Sequence, residues 1–322
     1  MSDGKILYGV RKIIYDCLNV QKNEKVLIIT DPLIPFCISQ ALFEITKEAK
    51  GIPHIVFMDI SKKLDNRTFD LIEETMRNSD VIITPTSRTV FHSAAMRKAR
   101  ENGARALSLT ECDEKTLSEG GIEADFKEIE PTVNKVGEIF SQGKEIELST
   151  PGGTSLKAKI DGRTAHCNSG ICHKPGEGMG VPDIEVYIAP VEGTCNGDIV
   201  IDASAAVVGI VDEPIKMKIV DGRLESITGD GKAAEIEKIL KAANDPNGYN
   251  IAEIAVGLNP KAKVIGKIIE DEGVYGTAHC ALGDNMSFGG ANPAPFHLDF
   301  VMWKPTIKID GRIIFDNGII QI

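Results

Sequence analysis

Four short apolar runs, each separated from the next by a helix-like stretch, constrain the fold of this chain more than any other feature of its sequence. The runs lie at 26–30, 54–58, 81–84 and 104–109, and the stretches with helical periodicity between them lie at 36–50, 67–77 and 92–102. Alternation of buried strands and helices at this spacing predicts parallel strands joined by crossover helices. No glycine-rich phosphate-binding motif follows any of the runs, so the sequence does not support a nucleotide site.

The pattern changes near residue 140. Glycines become dense, one helix is predicted at 232–243, and a Lys-Ile-Asp-Gly-Arg-like segment occurs three times, at 159–163, 218–223 and 308–312. Asp-Gly between apolar residues favours a tight hairpin turn. We therefore predict an open parallel α/β domain at 1–140 and a strand-rich α+β domain at 141–322, with a hairpin at each Asp-Gly.

Composition limits the classes of partner. The 322-residue chain carries a formal net charge of −11, which disfavours nucleic acid and anionic membrane surfaces. Its seven cysteines lack a disulfide rhythm, and the N-terminal residues lack a signal-peptide pattern, so we expect a cytoplasmic location. An acidic chain with carboxylates gathered in one region suits divalent cations.

The segment Phe296–Met302 is the first candidate for chemistry. Alternate side chains of a strand share a face, so His297 and Asp299 would point together while their apolar neighbours point the other way. Burying a histidine and a carboxylate together is unfavourable unless they are hydrogen-bonded or bind a metal. A hydrogen-bonded His–Asp pair without metal and a metal site both account for this motif.

Three further candidates lie in apolar or small-residue surroundings. Glu185 and Glu253 lie within strand-like runs, where a carboxylate must be neutralised, paired or metal-bound. His279 lies among small residues after the acidic triplet 270–272. A salt bridge for each glutamate, a satisfied core histidine and a solvated acidic loop are the structural alternatives.

Other polar positions give weaker signals. Glu192 is compatible with an outer acid of a site or with plain surface. The Cys167–Cys172 spacing, with His166 and His173 beside it, is loose for a zinc finger and has no second ligand pair at a finger-like distance. His92 follows the third apolar run, at the end of a strand where open sheets bind ligands.

Together the five candidates Glu185, Glu253, His279, His297 and Asp299 offer oxygen and nitrogen ligands without thiolate. Such a set suits Zn²⁺, Mn²⁺, Co²⁺ or Fe²⁺. Two bridged ions could polarise a carbonyl and generate hydroxide for peptide hydrolysis. A single Fe²⁺ held by His279, His297 and Asp299 would be a two-His-one-carboxylate triad with open positions for oxygen.

The order of these motifs resembles the aminopeptidase T/S family of metallopeptidases. The matching segments are Pro182–Pro190, Ala252–Val256, Ala278–Gly283 and His297–Phe300. The resemblance implies that the five candidates bind a pair of divalent metals, with Glu253 as a bridging ligand and catalytic group, and that the chain forms a homodimer. It implies a metal-dependent aminopeptidase, a hydrolase that removes N-terminal residues from peptides.

Two departures from that family bear on the reaction. The interval from His279 to His297 is compressed, and Met286 stands where the family has a tyrosine that assists catalysis. The sequence is also similar to a compact branch that includes an Fe²⁺ ring-opening dioxygenase acting on dihydroxypyridine, and there His92 corresponds to an acid/base histidine. A mononuclear Fe(II) dioxygenase is therefore the alternative, followed by a non-catalytic metal- or small-molecule-binding protein.

Overall fold

The structure is a computed structural model that describes residues 3–60, 68–91 and 93–322. It contains two compact units. The first runs to Glu130 and takes in Ser169–Pro182, whereas the second comprises Pro131–Asn168 and Asp183–Ile322. A segment of the chain thus returns to the first unit after the second has begun. The division into domains at 1–140 and 141–322 stays a prediction.

Seven α-helices and twenty β-strands are formed by the described residues. The helices are α1 Asp3–Arg11, α2 Phe36–Glu48, α3 Glu73–Arg77, α4 Ala94–Glu101, α5 Phe126–Gln142, α6 Gly231–Ala243 and α7 Ile268–Asp271. The strands are β1 Lys25–Thr30, β2 Ile52–Phe57, β3 Val81–Thr84, β4 Arg105–Ser108, β5 Glu145–Ser149, β6 Ser155–Lys159, β7 His166–Asn168, β8 Gly178–Gly180, β9 Glu185–Ile188, β10 Asn196–Ile201, β11 Ser204–Ala205, β12 Gly209–Ile210, β13 Ile215–Val220, β14 Arg223–Thr228, β15 Ile251–Gly257, β16 Thr277–Gly283, β17 His297–Trp303, β18 Thr306–Ile309, β19 Arg312–Asp316 and β20 Ile319–Ile320.

The first unit is built on a five-stranded parallel sheet in the order β2-β1-β3-β4-β8. Its first four strands are the four apolar runs, which confirms the predicted parallel α/β architecture. Strands β3 and β4 are buried along their whole length, as expected of a sheet covered on both faces. Helix α4 begins after Ser93, whose hydroxyl accepts a hydrogen bond from the Met96 amide.

The second unit contains two antiparallel sheets. One has eight strands in the order β14-β13-β10-β6-β5-β18-β19-β20, and the other has seven in the order β12-β11-β17-β16-β15-β9-β7. This agrees with the predicted strand-rich domain, and α6 matches the predicted helix. Among the described residues, none of the helices is both long and apolar enough to cross a bilayer.

The hairpin prediction holds at two of the three Asp-Gly pairs. Asp221-Gly222 joins β13 to β14 and Asp310-Gly311 joins β18 to β19, and all four residues have positive φ. At Asp161-Gly162 the prediction is wrong, because β6 pairs in the eight-stranded sheet while the following β7 pairs in the seven-stranded one. The same local sequence there connects two sheets.

Candidate metal centre

One face of the seven-stranded sheet carries all five candidate ligands. Glu185 is on β9, Glu253 on β15, His279 on β16, and His297 and Asp299 on β17. These four strands are neighbours in the sheet, and in an antiparallel register directly opposed residues point to the same side. Four adjacent strands therefore present their polar side chains to a common space, although the candidates are far apart in sequence.

Small residues stand opposite these candidates in the register, and they let the longer polar side chains lean over the sheet. Gly257 pairs with Glu185, Ala255 with His279, Ala281 with both Glu253 and Asp299, and Gly283 with His297. Gly283 has φ +112° and lies against the backbone of Phe296, where a Cβ would lie 2.2 Å from the carbonyl oxygen. Glycine is therefore required beside His297.

His279 lies between two glutamates and is fully buried. Its Nε2 is 3.1 Å from Glu185 Oε2 and 3.2 Å from Glu253 Oε1. Glu185 Oε2 is close but not aligned for a hydrogen bond, and the buried Nδ1 of His279 has no hydrogen-bond partner. Buried polar atoms without a partner are unfavourable in a protein core, and a cation bound beside Nε2 would give Glu185 Oε2 a partner.

His297 has the orientation of a metal ligand. Its Nδ1 is 2.7 Å from the Asp284 carbonyl oxygen, an arrangement in which Nδ1–H donates and Nε2 is the nitrogen left to bind a metal. That Nε2 is 3.1 Å from Asp299 Oδ1 and 3.5 Å from Glu253 Oε2. Glu253 thus presents one oxygen to each imidazole.

These separations fit donors that share an ion. Bonds of about 2.0–2.2 Å to one metal, at tetrahedral or octahedral angles, place neighbouring ligand atoms about 3.0–3.5 Å apart. The Nε2–oxygen distances in the cluster are 3.1, 3.2, 3.1 and 3.5 Å. Glu185, Glu253 and His279 form one group that could hold a metal, and Glu253, His297 and Asp299 form another. A divalent metal therefore fits these residues by both donor type and spacing.

The pKa values show how strongly the site favours positive charge. Burial lowers the pKa of His297, but the nearby Asp299 and Glu253 outweigh it and raise that pKa to about 10. Burial likewise opposes protonation of His279, yet Glu185 and Glu253 raise its pKa well above 6.5. Burial raises the pKa of Glu253. In the metal-free protein, protons on these groups offset the negative charge of the carboxylates, as a bound cation would.

Two further acids near the cluster were not among the predicted ligands. Asp183 and Glu272 form a group with Glu185 that could hold a metal, and Glu272 forms another with His279 and Asp299. Burial raises the pKa of both Asp183 and Glu272 well above the usual range. The signal for Asp183 was its position two residues before Glu185, which places both on one face of an extended segment.

The acidic triplet that includes Glu272 is not a solvated loop. Glu270 and Asp271 are buried, and Asp271 Oδ1 accepts a hydrogen bond of 2.7 Å from the Ile265 amide. These two acids stabilise the segment 263–266, which precedes α7, by accepting hydrogen bonds from its amides. Only a tertiary structure distinguishes them from Glu272, because all three have the same local sequence signal.

The remaining sequence candidates lie elsewhere. His92 is outside the described residues, so its acid/base role stays a prediction. Glu192 is half-buried and accepts a 2.7 Å hydrogen bond from the Ala291 amide. It therefore stabilises the loop between β16 and β17. Met286, at the position of the family tyrosine, is 54% exposed in that loop.

The His166–His173 segment is divided between the two units, with its cysteines in different ones. Cys172 Sγ lies 3.6 Å from the Ala106 carbonyl oxygen, and His173 Nε2 lies 2.8 Å from the Asp16 carbonyl oxygen. These contacts are internal to the first unit and account for both side chains without a zinc ion.

A protein-family model described as NicX, 2,5-dihydroxypyridine 5,6-dioxygenase, matches residues 44–322 of this chain. The chain belongs to this family. The match includes the whole seven-stranded sheet and each of the five candidate ligands. The predicted similarity to the dihydroxypyridine dioxygenase branch is thereby confirmed.

One known protein is similar to this chain in sequence, and two solved structures are similar to it in fold. A 2,5-dihydroxypyridine 5,6-dioxygenase from Pseudomonas putida strain KT2440 is 23% identical over 192 residues, which are 56% of this chain and 55% of that protein. The alignment thus spans about half the length of this curated relative. The solved structure of a 2,5-dihydroxypyridine dioxygenase from the same strain has a TM-score of 0.86, at 18% identity, over 100% of this chain and 98% of that one. Wild-type AmpT from Thermus thermophilus has a TM-score of 0.75, at 12% identity, over 99% of both chains.

These findings correct the predicted reaction. The expectation of an aminopeptidase, and with it a hydrolase and metalloprotease acting on peptides, is wrong, because the family model and the curated relative are both of dioxygenases. The likeness to AmpT shows a shared fold at 12% identity and carries no activity with it. The departure at Met286 was the sequence signal against peptide hydrolysis. A metal cofactor is consistent with both the family and the donor cluster.

Proposed function

We propose that this protein is an Fe(II)-dependent dioxygenase that opens the ring of a small dihydroxylated pyridine. The observation that supports it best is that two imidazoles on one sheet face share a carboxylate: Glu253 lies 3.2 Å from His279 Nε2 and 3.5 Å from His297 Nε2. Each imidazole also has a carboxylate of its own at 3.1 Å, Glu185 for His279 and Asp299 for His297. Two histidines and a carboxylate with open positions are the donor set of non-haem Fe(II) oxygenases. The family and the curated relative supply the substrate class.

His279, His297 and Asp299 are the proposed ligands, with Glu185 and Glu253 completing or adjusting the set. When bound, Fe(II) would supply the one-electron chemistry that lets dioxygen react with an aromatic ring. Asp284 orients His297 through its carbonyl oxygen, so that Nε2 faces the cluster. Because His279 and Glu253 are buried, water is excluded from their side of the site.

Glu253 is the proposed proton-handling group. Its two oxygens lie 3.2 Å from His279 Nε2 and 3.5 Å from His297 Nε2, so the carboxylate is placed to accept a proton from a ring hydroxyl at this centre. A deprotonated ring is richer in electrons and more easily oxidised. His92 is the second proposed acid/base group, carried over from the family resemblance.

The test is reconstitution under anaerobic conditions with Fe²⁺, followed by addition of 2,5-dihydroxypyridine and air-saturated buffer. We expect one O₂ consumed per substrate lost, both oxygen atoms of ¹⁸O₂ in the product, and one iron per chain. The matched controls are the Zn²⁺-loaded protein and His297→Ala, which should not consume O₂.

Metal content separates the alternatives. One bound iron without O₂ uptake on any dihydroxypyridine would contradict the proposed reaction. No bound metal after careful reconstitution would favour the non-catalytic binding protein instead.

A further inference from the structure

Three aromatic rings beside the metal centre form a continuous set that ends on a proposed ligand. His166 on β7 and Tyr187 on β9 are directly opposed in the register, and their rings stack with centroids 5.2 Å apart at 17°. Phe288 stands edge-on to both, at 6.2 Å from His166 and 5.3 Å from Tyr187. Its ring also meets His297 edge-on at 5.6 Å. The three residues His166, Tyr187 and Phe288 are called the aromatic wall below.

The register places this wall next to the ligands on the same sheet face. Tyr187 is two residues after Glu185 on β9, so the two side chains point to the same side. Ala255 lies opposite Tyr187 on one flank and opposite His279 on the other. Since Ala255 contributes only a methyl group, the tyrosine and the histidine can approach each other over it.

Phe288 is held in place by the loop between β16 and β17. Asn285 Nδ2 donates to Glu192 Oε1 at 3.2 Å, and the Ala291 amide donates to the same oxygen at 2.7 Å. Arg163 donates to both Glu192 and the Gly289 carbonyl oxygen. The loop is therefore fixed on both sides of Phe288, which makes its ring a rigid element of the wall.

Exposure shows from which side a molecule can reach the cluster. The His279 and Glu253 side chains are almost fully covered, at 1% and 6%, whereas the His297 side chain keeps 25% of its surface. His166 and Tyr187 are only half-buried. Phe288, which contacts His297, is itself buried. The surfaces that an approaching molecule can reach are therefore the exposed part of His297 and the rings of His166 and Tyr187.

We infer that the aromatic wall is the ring-recognition surface of this enzyme, with Tyr187 as the principal positioning residue for a flat heteroaromatic substrate. The inference rests on the proposed function for the identity of that substrate. Aromatic rings favour offset-stacked or edge-to-face contacts with a planar ligand, and the half-buried rings of His166 and Tyr187 keep surface for such a contact. An aliphatic ligand gains no such contact, so the wall selects for rings while the metal selects for hydroxyl or carboxylate oxygens.

The test measures binding separately from turnover. The Fe²⁺-loaded protein is titrated anaerobically by calorimetry with 2,5-dihydroxypyridine, and in parallel with oxalate, a non-aromatic chelator of the metal. For Tyr187→Leu we expect the affinity for the pyridine to fall about two- to tenfold, the range typical of a lost aromatic contact, with oxalate affinity unchanged. Tyr187→Phe keeps the ring and should restore pyridine affinity to within about twofold of the wild type.

The outcomes distinguish the inference from the proposed function. Equal losses for both ligands in Tyr187→Leu, or no loss for either, would overturn the role of the wall. Failure of the wild type to bind the pyridine while it binds oxalate would overturn it as well. Selective loss in Tyr187→Leu without O₂ consumption by the wild type would support the wall and refute the dioxygenase reaction.

Discussion

The substitution Asp299→Asn tests the metal-centre hypothesis most directly. It removes one negative charge and a proposed ligand while keeping the shape of the side chain. Asp299 Oδ1 is 3.1 Å from His297 Nε2, and Asp299 raises the pKa of His297 more than any other carboxylate does. The variant should therefore change both metal affinity and the proton affinity of the imidazole.

The stabilisation that Asp299 gives the metal-free protein can be worked out from the raised pKa of His297. A value of about 10, against the usual 6.5, corresponds to about 5 kcal/mol between the two protonation states. Glu253 contributes part of this free energy, and solvent screens the interaction because the His297 side chain is 25% exposed. We therefore assign about 2–3 kcal/mol to Asp299. Because the folded pKa of His297 is raised, this stabilisation of the metal-free protein is complete below pH 6.5 and is lost as the pH rises through about 10.

The assay combines metal content with unfolding of the metal-free protein at pH 6, 8 and 10. Wild-type protein should lose stability across this range, and Asp299→Asn should be less stable at pH 6 and less sensitive to pH. Its iron affinity should fall by more than about 100-fold, since loss of an outer partner alone costs 10–100-fold. Asp198→Asn, an exposed change on β10 of the other sheet, is the matched control and should alter neither quantity.

An unchanged iron content with a lowered melting temperature would refute this reasoning. That result is expected of a hydrogen-bonded His–Asp pair that never binds metal, in which removal of the negative charge weakens the bond to the part-buried imidazole.

Four other predictions concern the metal, the pH, a tight turn and assembly. Removing the metal with a chelator should lower the melting temperature, by an amount equivalent to about 2.7 kcal/mol if the free metal had stood at 100 times its dissociation constant. Because metal displaces protons from His279 and His297, whose pKa values are raised, calorimetry should show weaker metal binding at pH 6 than at pH 8, and equal affinities would count against that competition. Gly273→Ala should destabilise the protein by about 1–3 kcal/mol, since its Cβ would lie 2.7 Å from Asp183 Oδ1, whereas Gly231→Ala, with no heavy atom within 4 Å, should not; chemical denaturation compares the two. The expected homodimer should give twice the chain mass by light scattering at micromolar concentration, and a monomer there would contradict it.

The sequence by itself determined the element type of β1 to β4, of α2 to α4 and of α6. Continuous apolar runs separated by helical stretches favour a parallel sheet covered on both faces, so the parallel direction of β1 to β4 was predicted from the hydrophobic pattern. Their order in the sheet, β2-β1-β3-β4, was not. The alternation of His297 and Asp299 fixed that they share a face, because side chains of a strand alternate strictly.

Convergence of the site was decided by tertiary structure. Glu185, Glu253 and His279 come together only through the strand order β17-β16-β15-β9 and its register, which no local pattern encodes. Strand pairing over long sequence separations depends on the packing of the whole sheet. For the same reason, Asp161-Gly162 connects strands of two different sheets instead of forming a hairpin. Tertiary structure also gave the three neighbouring acids at 270–272 different roles. Glu272 lies beside the metal cluster, whereas Glu270 and Asp271 accept hydrogen bonds from backbone amides. Their local sequence is the same, so only burial and partners distinguish them.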